Sequence, residues 1–420
     1  MDTKRKWPVA ALSLLGMAST MSAARIQEGN GAHCAPTPPA TCYPEDCKRC
    51  YCLGPDNYGV NAPVRPRTCN GDWVIEVAGF YWNSHQDGME YAINNKVQFP
   101  NDNPDESGIV DAGLNTLVDA SFVNPDFKWD FGFKVGLGYN TTCDGWDFGV
   151  EWTWYRGKAN NTSESETSDN TTILPIWSAF APKQGLTLYA SDVESNWKLE
   201  LNMIDIELGR EFWTSKYLTM RPFVGLRIAY IDQTFQIDHK GGSWTSNSSA
   251  KGSQNTANNY VSINNDFHGV GVRGGFDTLW NLGCGWGIYG NIAYSILYGR
   301  FDIKHDETNR EATSPHSKTK IADAKGHFRA SRAVADLGIG LQYQTMFCDC
   351  AYGFAAMLGW EHHVFFDQNQ MWRVVRIGDT FGGAGSTAAP TFNNTGENVY
   401  SQRRGDLDTQ GWTLKVRFEF

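Results

Sequence analysis

The stretch Trp412-Thr413-Leu414-Lys415-Val416-Arg417-Phe418-Glu419-Phe420 decides how the rest of the chain is read. Side chains alternate across an extended strand, so Trp412, Leu414, Val416, Phe418 and Phe420 share one face. Thr413, Lys415, Arg417 and Glu419 share the other. A strand that is wholly apolar on one side and charged on the other suits a membrane barrel, with lipid outside and a polar lumen within. The closing strand of such a barrel places its last aromatic in the interfacial girdle. Phe420 also resembles the terminal Phe that assembly machinery reads in barrels of that class, so it is the expected assembly signal, and barrel assembly machinery and outer-membrane lipid are expected partners.

The same alternation recurs upstream. Trp73, Ile75, Val77 and Tyr81 share a face, as do Phe127, Trp129, Phe131, Phe133, Val135, Leu137 and Tyr139 opposite Lys128, Asp130, Gly132, Lys134, Gly136 and Gly138. Across 146–156, Trp146, Phe148, Val150, Trp152 and Trp154 oppose Asp147, Gly149, Glu151 and Thr153. Further strands are expected at 197–209, 218–230, 267–280, 286–299, 333–345 and 351–364, with a bulge where the phase slips between Leu201 and Ile204. Each run is close to the about 9–11 tilted residues that cross a bilayer. The expected fold is all-β: an antiparallel transmembrane barrel of about ten strands, or twelve if two more lie in the long connections, for instance near 91–99.

The connections support this. Those at 140–145, 210–217, 281–285 and 346–350 are short, and they alternate with links of about 30 to 50 residues rich in Asn, Ser, Thr, Gly and Asp. Short periplasmic turns and long extracellular loops are the outer-membrane plan. Trp73, Trp82, Trp146, Trp154, Trp280, Trp286, Tyr298 and Trp412 fall near strand ends and are expected to form the two girdles.

Before the barrel, Lys4-Arg5-Lys6, an apolar run 9–15 and Ser22-Ala23-Ala24 read as a signal peptide over 1–24. Residues 25–70 form a Cys/Pro-rich segment placed in the periplasm, and 71–420 the barrel. That segment holds Cys34, Cys42, Cys47, Cys50, Cys52 and Cys69. A zinc site would want a second close pair or several histidines, whereas only His33 is present, so disulfides are the better reading and no metal or cofactor is expected. The remaining cysteines, Cys143, Cys284, Cys348 and Cys350, lie in three of the four short turns. They can bridge locally, or link the protein to itself or to other envelope proteins. A net charge of −10 excludes a nucleic-acid footprint.

The run Trp129-Asp130-Phe131-Gly132-Phe133-Lys134-Val135-Gly136-Leu137-Gly138-Tyr139, the turn Cys143-Asp144-Gly145-Trp146 and Trp152-Thr153-Trp154 resemble the major-outer-membrane-protein-like porins of legionellae and chlamydia-related bacteria. The resemblance spans roughly 72–420. It implies a general diffusion pore and an abundant, disulfide-linked surface protein of the cell outer membrane.

The inward face gives the candidate lumen. Lys128, Asp130, Lys134, Glu151, Arg221, Arg227, Arg273, Asp277, Lys415 and Arg417 are the expected pore-lining residues, with Asp205, Glu207, Asp336 and Glu419 beside them. Charges of both signs hold water and set weak ion selectivity. The expected function is passive diffusion of small hydrophilic solutes and ions. The alternative is a closed lumen, with adhesin or receptor work done by the long loops. An enzyme is not expected, because His239, His268, His362, His363 and Asp232 show no spacing that makes a catalytic set.

Overall fold

The computed structural model describes residues 41–42, 52–53, 61–65, 72–96, 119–142, 144–165, 171–179, 190–241, 256–311, 315–347, 352–377 and 397–420. Residues 1–37 are a separate unit, and the barrel belongs to the unit 38–420. The expected signal peptide and most of the cysteine-rich segment lie outside the described residues.

Ten long strands follow one another: β1 (Asp72–Gln86), β2 (Trp129–Asn140), β3 (Trp146–Glu164), β4 (Asp192–Arg210), β5 (Leu218–Lys240), β6 (Thr256–Gly283), β7 (Trp286–Glu311), β8 (Lys318–Phe347), β9 (Tyr352–Phe365) and β10 (Leu407–Glu419). They belong to a sheet of eleven, whose other member, Phe212–Trp213, pairs with the base of β5. Each of the ten pairs antiparallel with its sequence neighbours, and β10 pairs with β1, so the sheet closes into a ring. Closure satisfies every edge at bilayer depth, which lipid requires. The ten-strand expectation holds. The segment near 91–99 contributes Ala92–Lys96 to a separate three-stranded sheet with Ser121–Val123 and Thr171–Pro175, not to the ring.

The short connections also hold. In the tightest, Cys284 and Gly285 have φ of 50° and 82°, the left-handed pair that a two-residue hairpin turn needs. Several of the long links are shorter than expected, because the strands run on: β6, β7 and β8 have 28, 26 and 30 residues. Only 312–317 separates β7 from β8.

The reason is an inversion of polarity along each strand. In the inner part the outward face is apolar: Val224, Trp280 and Ile339 are 60–63% exposed, as lipid-facing residues must be. Trp73, Trp146, Trp280 and Trp286 mark the lower rim, and Tyr298, Trp360 and Trp412 the upper. Higher up, the outward face becomes polar and the inward face fills with Trp197, Leu199, Phe235, Ile263, Phe267 and Phe301, all fully or almost fully buried. Trp82, expected in the girdle, belongs to this core. It points inward, is 0% exposed, stacks on Phe80 and donates Nε1–H to Thr413 Oγ1 at 3.1 Å.

The inversion also removes the bulge expected between Leu201 and Ile204. The register of β4 runs unbroken there against both β3 and β5. Leu201 and Met203 are buried inward and Ile204 faces out. The apolar residues change sides of the strand at that height, and the strand itself does not slip.

Candidate functional site

Beneath the apolar core, at bilayer depth, the lumen holds a cavity of about 240 Å³. Period-two alternation on every strand of the ring delivers the charges to it. Its ionisable lining comprises seven Lys or Arg against nine Asp or Glu, plus His363. Lys134, Glu151, Arg221, Arg227, Arg273, Asp277, Lys415 and Arg417 all line it, as expected, as do Asp205, Glu207 and Asp336.

Lys128 and Asp130 do not. Lys128 is exposed, and Asp130 accepts a hydrogen bond from the Lys158 backbone N–H at 2.9 Å. Both sit at the outer end of β2, where Asp130 is opposite Trp82 and hence level with the apolar core.

The charges pair across the lumen in linked sets. Arg227 grips Asp205 with Nε at 2.6 Å and Nη2 at 2.7 Å, and its Nη1 lies 2.9 Å from Asp336. Arg273 bonds Glu207 at 3.0 Å and also contacts Asp336. Arg221 joins Asp147 at 2.6 Å, Asp277 at 2.8 Å and Glu207 at 3.2 Å. On the facing wall Lys134 donates to Glu361 at 2.8 Å, and Lys415 bridges Glu151 at 2.9 Å and Glu76 at 3.2 Å. His363 lies between the two groups, 2.8 Å from Asp336 and 3.6 Å from Glu361.

Glu76, Glu361 and His363 were absent from the sequence-based set, although their parity opposite Ile75 and Trp360 carried the signal. Arg65 carried none. It reaches the chamber from the 61–65 segment, which the sequence reading assigned to a separate periplasmic piece. Here that segment closes on the base of the ring: Val64 N–H donates to Glu211 O at 3.1 Å, Trp213 N–H to Ala62 O at 2.9 Å, and Arg65 pairs with Glu211 at 2.9 Å and with Glu419.

Inward glycines serve two purposes. A Cβ on Gly271 would lie 1.8 Å from the Ile296 carbonyl oxygen, so this position requires close backbone approach, whereas around Gly149 the nearest such atom is 3.9 Å away and the space is open. Of the cysteines, Cys284 is disulfide-bonded. Cys42 and Cys52 are directly opposed in a two-residue strand pair. Cys34, Cys47, Cys50, Cys69, Cys143, Cys348 and Cys350 lie outside the described residues.

The chain matches the family model described as Legionella pneumophila major outer membrane protein precursor over residues 65–420. It belongs to this family. The match places the protein in the outer membrane, and its start at residue 65 coincides with the arginine that seals the ring's base. No curated protein matches the chain. Among solved structures, the outer membrane protease OmpT from Escherichia coli aligns at 8% identity and TM-score 0.33, covering 84% of this chain and 97% of that one. The TodX deltaS2S3 mutant monoaromatic hydrocarbon channel aligns at 10% identity and TM-score 0.22, covering 83% and 90%. A Pseudomonas aeruginosa FadL homologue aligns at 7% and 0.21, covering 88% and 96%. The architecture of this family member rests on its own closed hydrogen-bonded ring.

Near its outer end the family member carries a second buried polar group. Glu307 is 0% exposed and accepts from Ser178 Oγ at 2.5 Å, from the Ala179 backbone N–H at 2.8 Å and from Asn259 Nδ2 at 2.6 Å, which ties the 176–179 segment to the barrel top. Asn259 Oδ1 lies 3.0 Å from Nδ1 of the buried His239. Burial pushes the His239 imidazole down to about 4, against smaller upward pulls from Asn259 and Glu307. Burial acts to raise Glu307, but the nearby His305 imidazole, at 3.8 Å, and the hydrogen bonds from Ser178, Ala179 and Asn259 together hold it below the ordinary range.

Both shifts have the same consequence in acid. An unfolded His239 takes up a proton near pH 6.5 and the folded one only near 4, so stability is full above about 6.5 and falls through that window, by about 3 kcal/mol at its foot. Glu307 adds loss at still lower pH, as the acid approaches its depressed folded value. Denaturant midpoints at pH 7 and pH 4.5 should differ in the natural protein, and the difference should shrink in His239→Gln. An equal acid loss in that variant would remove His239 from the account.

Proposed function

We propose that the barrel is a narrow porin for small hydrophilic solutes and ions, shut at its outer end in the conformation described. The observation that carries this reading is the charge-lined chamber at bilayer depth. A lumen with many ionic groups retains water, and its excess of carboxylates over cations favours cation passage. The apolar core above it acts as a hydrophobic constriction, of the kind that gates by excluding water.

Single-channel recording of the refolded, reduced protein tests this. Brief cation-preferring steps are expected, with the preference strengthened in Arg417→Glu. A correctly folded barrel that never steps at any voltage would defeat the porin reading.

The second reading is a closed-lumen surface protein that acts through its outer loops, and the specific observation favouring it is the same core of fully buried aromatics. We also propose that the turn cysteines divide their work: Cys284 is bonded within the chain, and those left out of such a bridge link the barrel to its neighbours. Replacing Cys143, Cys284, Cys348 and Cys350 with Ser should then collapse high-mass species on a non-reducing gel. Their persistence would move the links elsewhere.

A further inference from the structure

Above the upper aromatic rim, the outward face of the β7–β8 hairpin carries an unusual set of cross-strand neighbours: Arg300 opposite Arg329, Asp302 opposite His327, Lys304 opposite Lys325, and Asp306 opposite Asp323. Like charges directly opposite one another are unfavourable. The acidic pair is relieved within the chain, since Lys320 Nζ lies 2.9 Å from Asp306 and 2.7 Å from Asp323. The arginine pair is relieved only in part. Arg300 turns to Asp302 at 2.8 Å, while the Arg329 side chain is exposed and makes no hydrogen bond or ion pair among the described residues. Arg300, His327 and Arg329 share a shallow cleft.

The height of the arginine pair fixes what it meets. One rung lower on the same face, Tyr298 is opposite Ser331, and Tyr298 is a girdle residue with 58% of its surface exposed. Residues just beyond an aromatic girdle lie at headgroup level, where anionic lipid groups attract cations. Below Arg329 the outward positions of β8 are Ser331, Ala333 and Ala335, flanked on β7 by Tyr298, Ile296 and Tyr294. On the other side, Val364 is opposite Ala335, and the Phe366 N–H donates to Ala333 O at 3.1 Å. The small residues form the floor of a trough with large apolar walls, which runs down from a cationic head into the lipid belt.

We infer that Arg300 and Arg329 hold a phosphate of an outer-leaflet glycolipid, with an acyl chain laid in this trough. An added anion resolves the like-charge pair, and the trough supplies the apolar contact that a free anion would not use.

The test uses the full-length refolded barrel in a neutral maltoside detergent, titrated with diphosphorylated lipid A, the same lipid dephosphorylated, and inorganic phosphate. Diphosphorylated lipid A should bind, and the double variant Arg300→Ala/Arg329→Ala should weaken it by at least about tenfold. Arg156→Ala, which breaks a pair with Glu200 on a different part of the wall, should leave the affinity unchanged. Heat-modifiable mobility on a gel verifies that each variant is folded. Equal affinity in the double variant, equal binding of the dephosphorylated lipid, or competition by inorganic phosphate at the same concentration as the lipid would each overturn the inference.

Discussion

Arg227→Met should lower the unfolding free energy of the barrel by about 3–5 kcal/mol, the usual cost of removing one partner from a buried ionic group. Arg227 is 1% exposed and holds two carboxylates at once, Asp205 through a two-pronged grip and Asp336 through its remaining nitrogen. Without it, Asp336 keeps Arg273 and His363, but Asp205 at bilayer depth is left with Arg273 at 3.8 Å. The magnitude reflects the stranded negative charge more than the lost attraction. A second variant separates these terms: Arg227→Met with Asp205→Asn should recover more than half of the loss. Urea unfolding followed by tryptophan fluorescence reads both. A single variant as stable as the natural protein, or a double variant no better than the single, would show that the set does not hold the lumen together.

Trp197→Ala should be comparably costly, about 3–5 kcal/mol, because a large ring leaves a packed interior. Trp197 is fully buried, meets Phe127 edge-on at 5.3 Å and donates Nε1–H to Gln233 Oε1 at 3.2 Å. Gln233 in turn donates to Gln86 Oε1 at 3.0 Å, so the truncation also loosens a buried amide chain. This residue belongs to the core above the charged chamber, so the variant has a second consequence. If that core is the constriction, Trp197→Ala should step more often than the natural protein in planar-bilayer recordings, and Trp197→Phe should fall between them. Unchanged step frequency with a measured loss of stability would place the barrier elsewhere in the lumen.

The membrane-facing part of the fold was legible because lipid imposes a simple rule. Val150, Trp152 and Trp154, or Leu414, Val416 and Phe418, admit no reading but one shared apolar face. The outer section was not legible by the same rule, because water replaces lipid outside while the interior stays closed. Leu199 and Leu201 then read as out of phase with Ile204 and Ile206, although the strand is regular. The polar composition of 300–332 likewise suggested loop, whereas Phe301 and Ile303 are buried strand residues. In the chamber, parity identified individual charges but not their partners. Lys134 and Glu361 are 227 residues apart and meet only once the ring closes. Arg65 arrives from outside the ring, and no periodicity announces it.

The polarity inversion has a bearing on how the barrel assembles in the right register. Sliding one strand by a single residue exchanges its two faces. In a simple membrane strand that error sets charges against lipid. Here it would also, in the same movement, push Trp197 or Phe235 into water and bring their polar neighbours into the core above. Each long strand is therefore proofread by two solvents with opposite demands, and a slip that satisfied one of them would be rejected by the other.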